Sequence, residues 1–251
     1  MNARKFFLAF LIGLLCCTPS ISYAQDATSD DFENYINFED EGEDLNISDP
    51  FYNVNKITFK FNDTLINYVF DPFSRGYEFI VRKPIQKSLD NFFNNISMPR
   101  NVLNNLLQQK GQRAGIVMGR FLINTSIGIG GLFDPAKYYF DLERYDEDFG
   151  QTLGYYNIGE GPYIVLPLLG PSNARDTVGV IADIAMNPLF WLNIYDVYPE
   201  DAFKAMAYTQ QVNNFTYNVR DDYDKVVGDA FDPYVALQHA YYQNRRKKIA
   251  E

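Results

Sequence analysis

The stretch FYNVNKITFKFNDTLINYVF, residues 51–70, carries Val54, Ile57, Phe61, Leu65 and Val69 at spacings of three and four. At 3.6 residues per turn those side chains fall on one helical face, which Ile66 widens. The period continues outward. Pro84 suits the first turn of a helix, and Ile85, Leu89, Phe92, Phe93 and Ile96 follow until Pro99 interrupts the pattern. Val102, Leu103, Leu106 and Leu107 form a short stripe ended near Gly111, and Ala114, Val117, Met118, Phe121 and Leu122 form another that runs into glycines. Residues 175–186 read as a helix with a broad apolar surface, closed by Asn187-Pro188. Helices over 202–219 and 231–248 complete the set. The expected fold is mainly α, and no internal repeat is visible.

Two segments break the helical rule. Residues 126–133, SIGIGGLF, alternate glycine with large apolar side chains, and residues 163–169 form an apolar run between Gly161-Pro162 and Gly170-Pro171. Both read as short extended or hairpin pieces. A phosphate loop would require Gly-Lys-Ser/Thr, but Leu132 follows Gly131; a dinucleotide fingerprint would require a preceding strand, where the pattern is helical.

A length of 251 residues suits one ordinary domain or two small ones, and 47% apolar with 16% aromatic is enough to fill a core of that size. The formal charge of −10 excludes a general nucleic-acid binder, which needs a basic face. Ten of the acids lie in residues 26–49, where there is no base, so the body from Pro50 onward is nearly neutral. Residues 25–48 read as an acidic, disordered leader and residues 49–251 as a single compact helical domain. Arg4 and Lys5 precede an apolar run over residues 6–17, too short to span a bilayer, and Ser22-Tyr23-Ala24 offers a cleavage site before Gln25. Residues 1–24 are therefore expected to be an export signal. Leu15 before Cys16, and Cys16 before Cys17, fit a lipoprotein signal poorly, and the processed chain would hold no cysteine. No later stretch reaches 18 uninterrupted apolar residues.

Candidate chemistry is sparse. Asp146, Glu147 and Asp148 could serve as glycosidase carboxylates or calcium ligands, but EF-hand spacing is absent, and a solvated loop is the expectation. His239 has no serine elbow or HExxH motif to partner it, which favours a packing or surface role. No metal or cofactor is expected. Arg245, Arg246, Lys247 and Lys248 fit two roles equally, contact with anionic headgroups or complementation of a helix dipole. Nineteen tyrosines and twenty-one phenylalanines exceed what a core of this size needs. Aromatic rings also anchor proteins at the membrane interface, so an exported, helical, aromatic-rich chain suggests lipid contact.

Several strings resemble the MlaA (VacJ) family of outer-membrane lipid-asymmetry proteins. Asp49-Pro50-Phe51, Asn55-Lys56 and Phe59-Lys60-Phe61-Asn62 resemble the family's opening motif, apart from Val54, where an aromatic is usual. Pro84, Asn91-Phe92-Phe93, Pro99-Arg100 and Gly119-Arg120-Phe121 follow, then Asn124-Thr125-Ser126 leading through Ile127, Gly128, Ile129, Gly130, Gly131, Leu132 and Phe133 to Asp134. The longest match holds Gly150, Thr152, Gly154, Gly161, Pro162, Tyr163, Pro167, Arg175 and Asp176, with weaker echoes at Asp232-Pro233-Tyr234 and Tyr241-Tyr242-Gln243.

The resemblance implies a compact helical ring in the periplasmic leaflet of the outer membrane, with an amphipathic passage through it. Such a protein takes phospholipids that have strayed into the outer leaflet and hands them to a periplasmic carrier, beside a trimeric porin and without catalysis. The rival reading is a periplasmic lipid- or glycan-hydrolysing enzyme using the acidic loop. Residues 127–133 either line or gate the passage or form a tight turn inside the core, since glycine serves positive φ or close approach.

Overall fold

The computed structural model describes residues 47–251 apart from Asp196 and Asp229; the expected export signal and the leader as far as residue 46 lie outside the described residues. Helix α1 (Tyr52–Leu65) runs without a break through a π-helical turn (Ile66–Phe70) into α2 (Asp71–Ile80). Helices α3 (Lys83–Leu107), α4 (Gly111–Ser126), α5 (Pro135–Phe140) and α6 (Phe149–Tyr155) follow. An antiparallel hairpin pairs β1 (Tyr163–Leu166) with β2 (Gly170–Asn173), joining Tyr163 to Asn173 and Leu166 to Gly170. After it come α7 (Ala174–Met186), α8 (Pro188–Ile194) and α9 (Glu200–Asn214), then a second π-helical turn (Phe215–Val219), α10 (Arg220–Val227) and α11 (Pro233–Ala250).

Three expectations about elements change. Pro99 does not interrupt α3, which continues through it to Leu107. The proline removes one backbone N–H and crowds the preceding turn, but packing against α4 through Met98, Val102, Ala114 and Val117 holds the helix together. Of the two glycine-bounded segments only 163–169 belongs to a hairpin. Residues 127–131 are successive turns after α4, with Ile129, Gly130 and Gly131 all at positive φ.

The third change concerns which way the helices face. On α1 the stripe of Val54, Ile57 and Phe61 is exposed, whereas Asn55, Phe59 and Asn62 are buried. On α3, Asn95, Asn101, Asn104 and Asn105 are buried while Ile85, Leu103, Leu106 and Leu107 face outward. Helix α7 buries Arg175, Asp176 and Asp183 and exposes Val178 and Ile181. The apolar faces are there, as the periodicity predicts, but much of their area lines the outside. The main apolar core is aromatic and small: Phe59, Tyr163, Tyr223, Tyr234 and Tyr242 join Val165 and Leu237. Its ring centroids lie 5.7–6.1 Å apart for Phe59–Tyr234, Tyr163–Tyr242 and Tyr163–Tyr234, within the range of favourable edge and offset contacts.

Candidate functional site

The polar interior is built from three sets of side chains, and most of the motif residues read from the sequence belong to one of them. In the first set α1 substitutes for a strand. Asn55 donates to the Tyr163 carbonyl at 3.0 Å and accepts from the Val165 amide at 2.9 Å; Asn62 donates to the Leu166 carbonyl and accepts from the Leu168 amide, both at 2.9 Å. Seven helical residues rise about 10.5 Å, and three extended residues advance about 10 Å. Asparagines two turns apart therefore match backbone groups three residues apart, and the outer edge of β1 is satisfied. Asp49 fixes this clamp from behind by accepting from Asn55 at 2.8 Å and from the Tyr234 hydroxyl. Gly161 sits at φ +69°, and a Cβ there would reach within 3.0 Å of Ala174. Pro162 accepts the Ala174 amide at 3.1 Å, and Pro167 is in the exposed hairpin turn. Phe61 points outward.

The second set surrounds the acidic triplet, whose three members have separate partners, contrary to the expected solvated loop. Asp146 is exposed but accepts from Asn101 at 2.7 Å. Glu147, 4% exposed, accepts from Gln108 at 2.8 Å and Lys110 at 2.9 Å. Asp148 caps α6 by accepting from the Gln151 amide and takes a two-pronged pair of 2.6 Å bonds from Arg245. Arg245 Nε also lies 2.6 Å from Asp176, which accepts from Arg175 at 2.9 Å and from the Tyr241 hydroxyl at 2.5 Å. Arg245 therefore serves neither headgroups nor a helix dipole; it ties α11 to α6 and α7. Gly150 and Gly154 make room for this arrangement: a Cβ at Gly150 would come within 2.7 Å of Asp176, and one at Gly154 within 2.7 Å of Ile249.

Burial would raise the Asp148 carboxyl, but Arg245 outweighs it and holds the group well below the usual carboxylate range. Asp183 shows the opposite balance. Burial and the neighbouring Asp148 charge push it up to about 7, against the lowering influence of Arg100 and of donors from the Phe149 amide and Asn104. Asn104 in turn accepts from Thr152 at 2.9 Å. Asn104, Asp183 and Glu147 stand at the centre of this network, and their role was not read from sequence. A signal existed, since Asn101, Asn104, Asn105 and Gln108 recur at helical spacing on the face opposite the leucines.

The third set holds the glycine-rich turns. Arg120 pairs with Asp134 at 2.6 Å, Asn124 bridges Asp134 and the Ala136 amide, and Asn95 donates to Thr125 at 2.9 Å. Burial would raise the Asp134 carboxyl, but Asn124, Arg120 and the Lys137 amide outweigh it and hold the group below its ordinary value. Gly128 is wedged between the Asn124 and Phe133 carbonyls, and Gly131, at φ +95°, packs on Asn95. Gly130, at φ +69°, has open space around it, and Ile127, Ile129 and Phe133 are exposed while Leu132 is half-buried. His239 lies half-buried on α11. Among the described residues no group of His, Cys, Asp or Glu is arranged to hold a metal ion.

Amide and charged side chains buried on α1, α3 and α7, with many aromatic and aliphatic ones exposed beside them, define a helical protein with an unusually apolar surface. The sequence profile of the MlaA lipoprotein family matches residues 47–248. The chain is 31% identical over 205 residues to the intermembrane phospholipid transport system lipoprotein MlaA of Haemophilus influenzae, covering 80% of this chain and 79% of that one. It is 32% identical over 244 residues to an uncharacterised protein of Rickettsia felis, covering 96% and 94%. A solved structure described as the structural basis for maintenance of bacterial outer membrane lipid asymmetry superposes with a TM-score of 0.65 at 29% identity, over 80% of this chain and 99% of that one. The chain belongs to the MlaA family.

Proposed function

We propose that this protein is the outer-membrane component of retrograde phospholipid transport, which removes mislocalised phospholipids from the outer leaflet and hands them on, so that lipid asymmetry is kept. The observation that carries the reading is the inverted facing of α1, α3 and α7 in a chain whose family includes named phospholipid-transport lipoproteins. An apolar exterior suits the acyl region and a polar interior suits a headgroup path. No bond in the lipid is made or broken. The acidic triplet is engaged in structural contacts, which leaves the hydrolase reading without support. In this proposal the protein sits in the periplasmic leaflet after export, works beside a trimeric porin and delivers lipid to a periplasmic carrier.

Residues 127–133 are proposed to gate the passage. Ile129 offers a clean probe, because it is 65% exposed and held at φ +54°, where a β-branched residue is strained. Asparagine tolerates that backbone region and is polar. Cells lacking the protein should accumulate outer-leaflet phospholipid, and Ile129→Asn should fail to restore asymmetry while its thermal midpoint holds or rises. No accumulation in the deletion strain would refute the transport role. Full restoration by Ile129→Asn would refute the gate alone.

A further inference from the structure

The two π-helical turns line one apolar cleft. Each contains one residue more than an α-helical turn, closing a backbone bond from the Asp71 amide to the Ile66 carbonyl in one case and from the Arg220 amide to the Phe215 carbonyl in the other. Such insertions weaken a helix locally and concentrate at functional positions. Here Ile66 and Phe70 from the first turn, and Phe215 and Val219 from the second, all line the cleft, and the Phe70 and Phe215 rings touch, with centroids 5.4 Å apart. Phe59 and Leu237 lie deeper, and Leu168, half-exposed in the hairpin turn, forms part of the rim.

The wall chemistry restricts the occupant. No lining residue is ionised. Asn62 is engaged with the hairpin backbone, Asn214 accepts from Asn218 at 3.0 Å, and the Tyr223 hydroxyl donates to Asp63 at 2.8 Å. A polar ligand would lose its hydration there and gain few bonds in return. The enclosed part of the cleft measures about 70 Å³ and opens to solvent at its mouth, several times the space that one water needs. On the far side of the same helical turn Tyr68 and Val69 are exposed, continuing the apolar exterior of α1 and α2 to the cleft. None of residues 127–133 lines it.

We propose that this cleft takes the methyl end of one acyl chain of a phospholipid, while the rest of the chain and the headgroup stay outside it. The inference rests on the transport role and deepens it by separating the tail from the headgroup. The π-helical turns shape the cleft: an uninterrupted α-helix would draw each of the two segments back into regular register and alter the contact between Phe70 and Phe215.

The test uses the full chain in bilayer discs of phosphatidylethanolamine and phosphatidylglycerol. The discs carry a trace phospholipid with a photoreactive diazirine either near the end of one acyl chain or on the headgroup. After irradiation, tail-labelled lipid should form adducts at the lining residues Ile66, Phe70, Phe215 and Val219, and headgroup-labelled lipid should not. Val219→Trp, which fills the cleft, should lower tail adducts at Phe70 by about tenfold, whereas Val69→Trp on the outer side should leave them unchanged. If Val219→Trp unfolds, the adduct map of the unaltered protein decides alone. Tail adducts confined to the exterior at Phe73 and Phe79, or headgroup adducts inside the cleft, would overturn the proposal. An absence of cleft adducts in a protein whose deletion disturbs lipid asymmetry removes the cleft and leaves the transport role. Cleft adducts in one whose deletion does not disturb asymmetry do the reverse.

Discussion

Burial and Arg245 pull the Asp148 carboxyl in opposite directions, and Arg245 wins. The pair joins residues 97 apart in sequence with side chains 12% and 20% exposed, so it is mostly, not wholly, removed from water. Arg245→Met keeps the length of the stem and leaves Asp148 without its counter-charge. The expected cost at pH 7 is about 2–4 kcal/mol, at or just below that of breaking a fully buried pair, a drop of roughly 5–15 °C in thermal midpoint for a domain of this size. The sign of the pH effect follows from the depressed carboxyl: its contribution is present above the unfolded value near 4 and is lost below that, as the pH falls toward the still lower folded value. The gap between parent and Arg245→Met should therefore be wide at pH 7 and narrow as the pH is taken below about 4 in thermal unfolding scans. A gap that stays constant with pH would mean that Arg245 acts through packing alone. Nothing near Asp148 in the sequence announces this partner. Three adjacent acids look like a solvated loop, and only the fold brings a C-terminal arginine back to them.

Helix α1 shows at the level of elements what the pattern can and cannot say. The period of three and four in residues 51–70 identifies a helix correctly, and the glycines and prolines around 163–169 mark the hairpin. Which face is buried could not be read from hydropathy, because Asn55 and Asn62 outcompete Val54 and Ile57 for the interior by satisfying the edge of β1. Nor could the π-helical turns be foreseen, since the extra residue leaves the apolar period nearly intact. If the clamp works by hydrogen bonding, its two members should differ with burial. Asn55→Leu leaves the buried Tyr163 carbonyl and Val165 amide unpaired and should cost about 2–4 kcal/mol; Asn62→Leu, beside the half-exposed Leu168, should cost about 1–2 kcal/mol. Amide exchange at Val165 and Leu168 should quicken in the corresponding variant. Equal costs, or unchanged exchange, would show that the asparagines pack without clamping.

Inverted facing across several helices decides how the whole molecule meets its surroundings. Among the described residues no single helix is long and apolar enough to cross a membrane; α7 and α8 approach that composition only as a pair bent by 58°. The exposed side faces that could meet lipid are led by Tyr68, Phe73, Phe79 and Ile80, along α2 and the turn before it. Phe79 is 90% exposed and Ile80 78% exposed in the isolated chain, so each would contribute about 1.5–3 kcal/mol on full immersion in an apolar phase. Charge offers no comparable force, because the residues from Pro50 onward carry 22 acids and 20 bases, and attraction to anionic lipid is worth only about 1 kcal/mol per well-placed base. High salt, which screens charge and strengthens apolar burial, should therefore leave the protein in the membrane fraction, while mild detergent should release it. Phe79→Ser with Ile80→Ser should shift a measurable share to the soluble fraction without lowering the thermal midpoint in detergent, since neither side chain supports the core. Release of the unaltered protein by salt alone would assign attachment to charge and leave the apolar exterior to another partner.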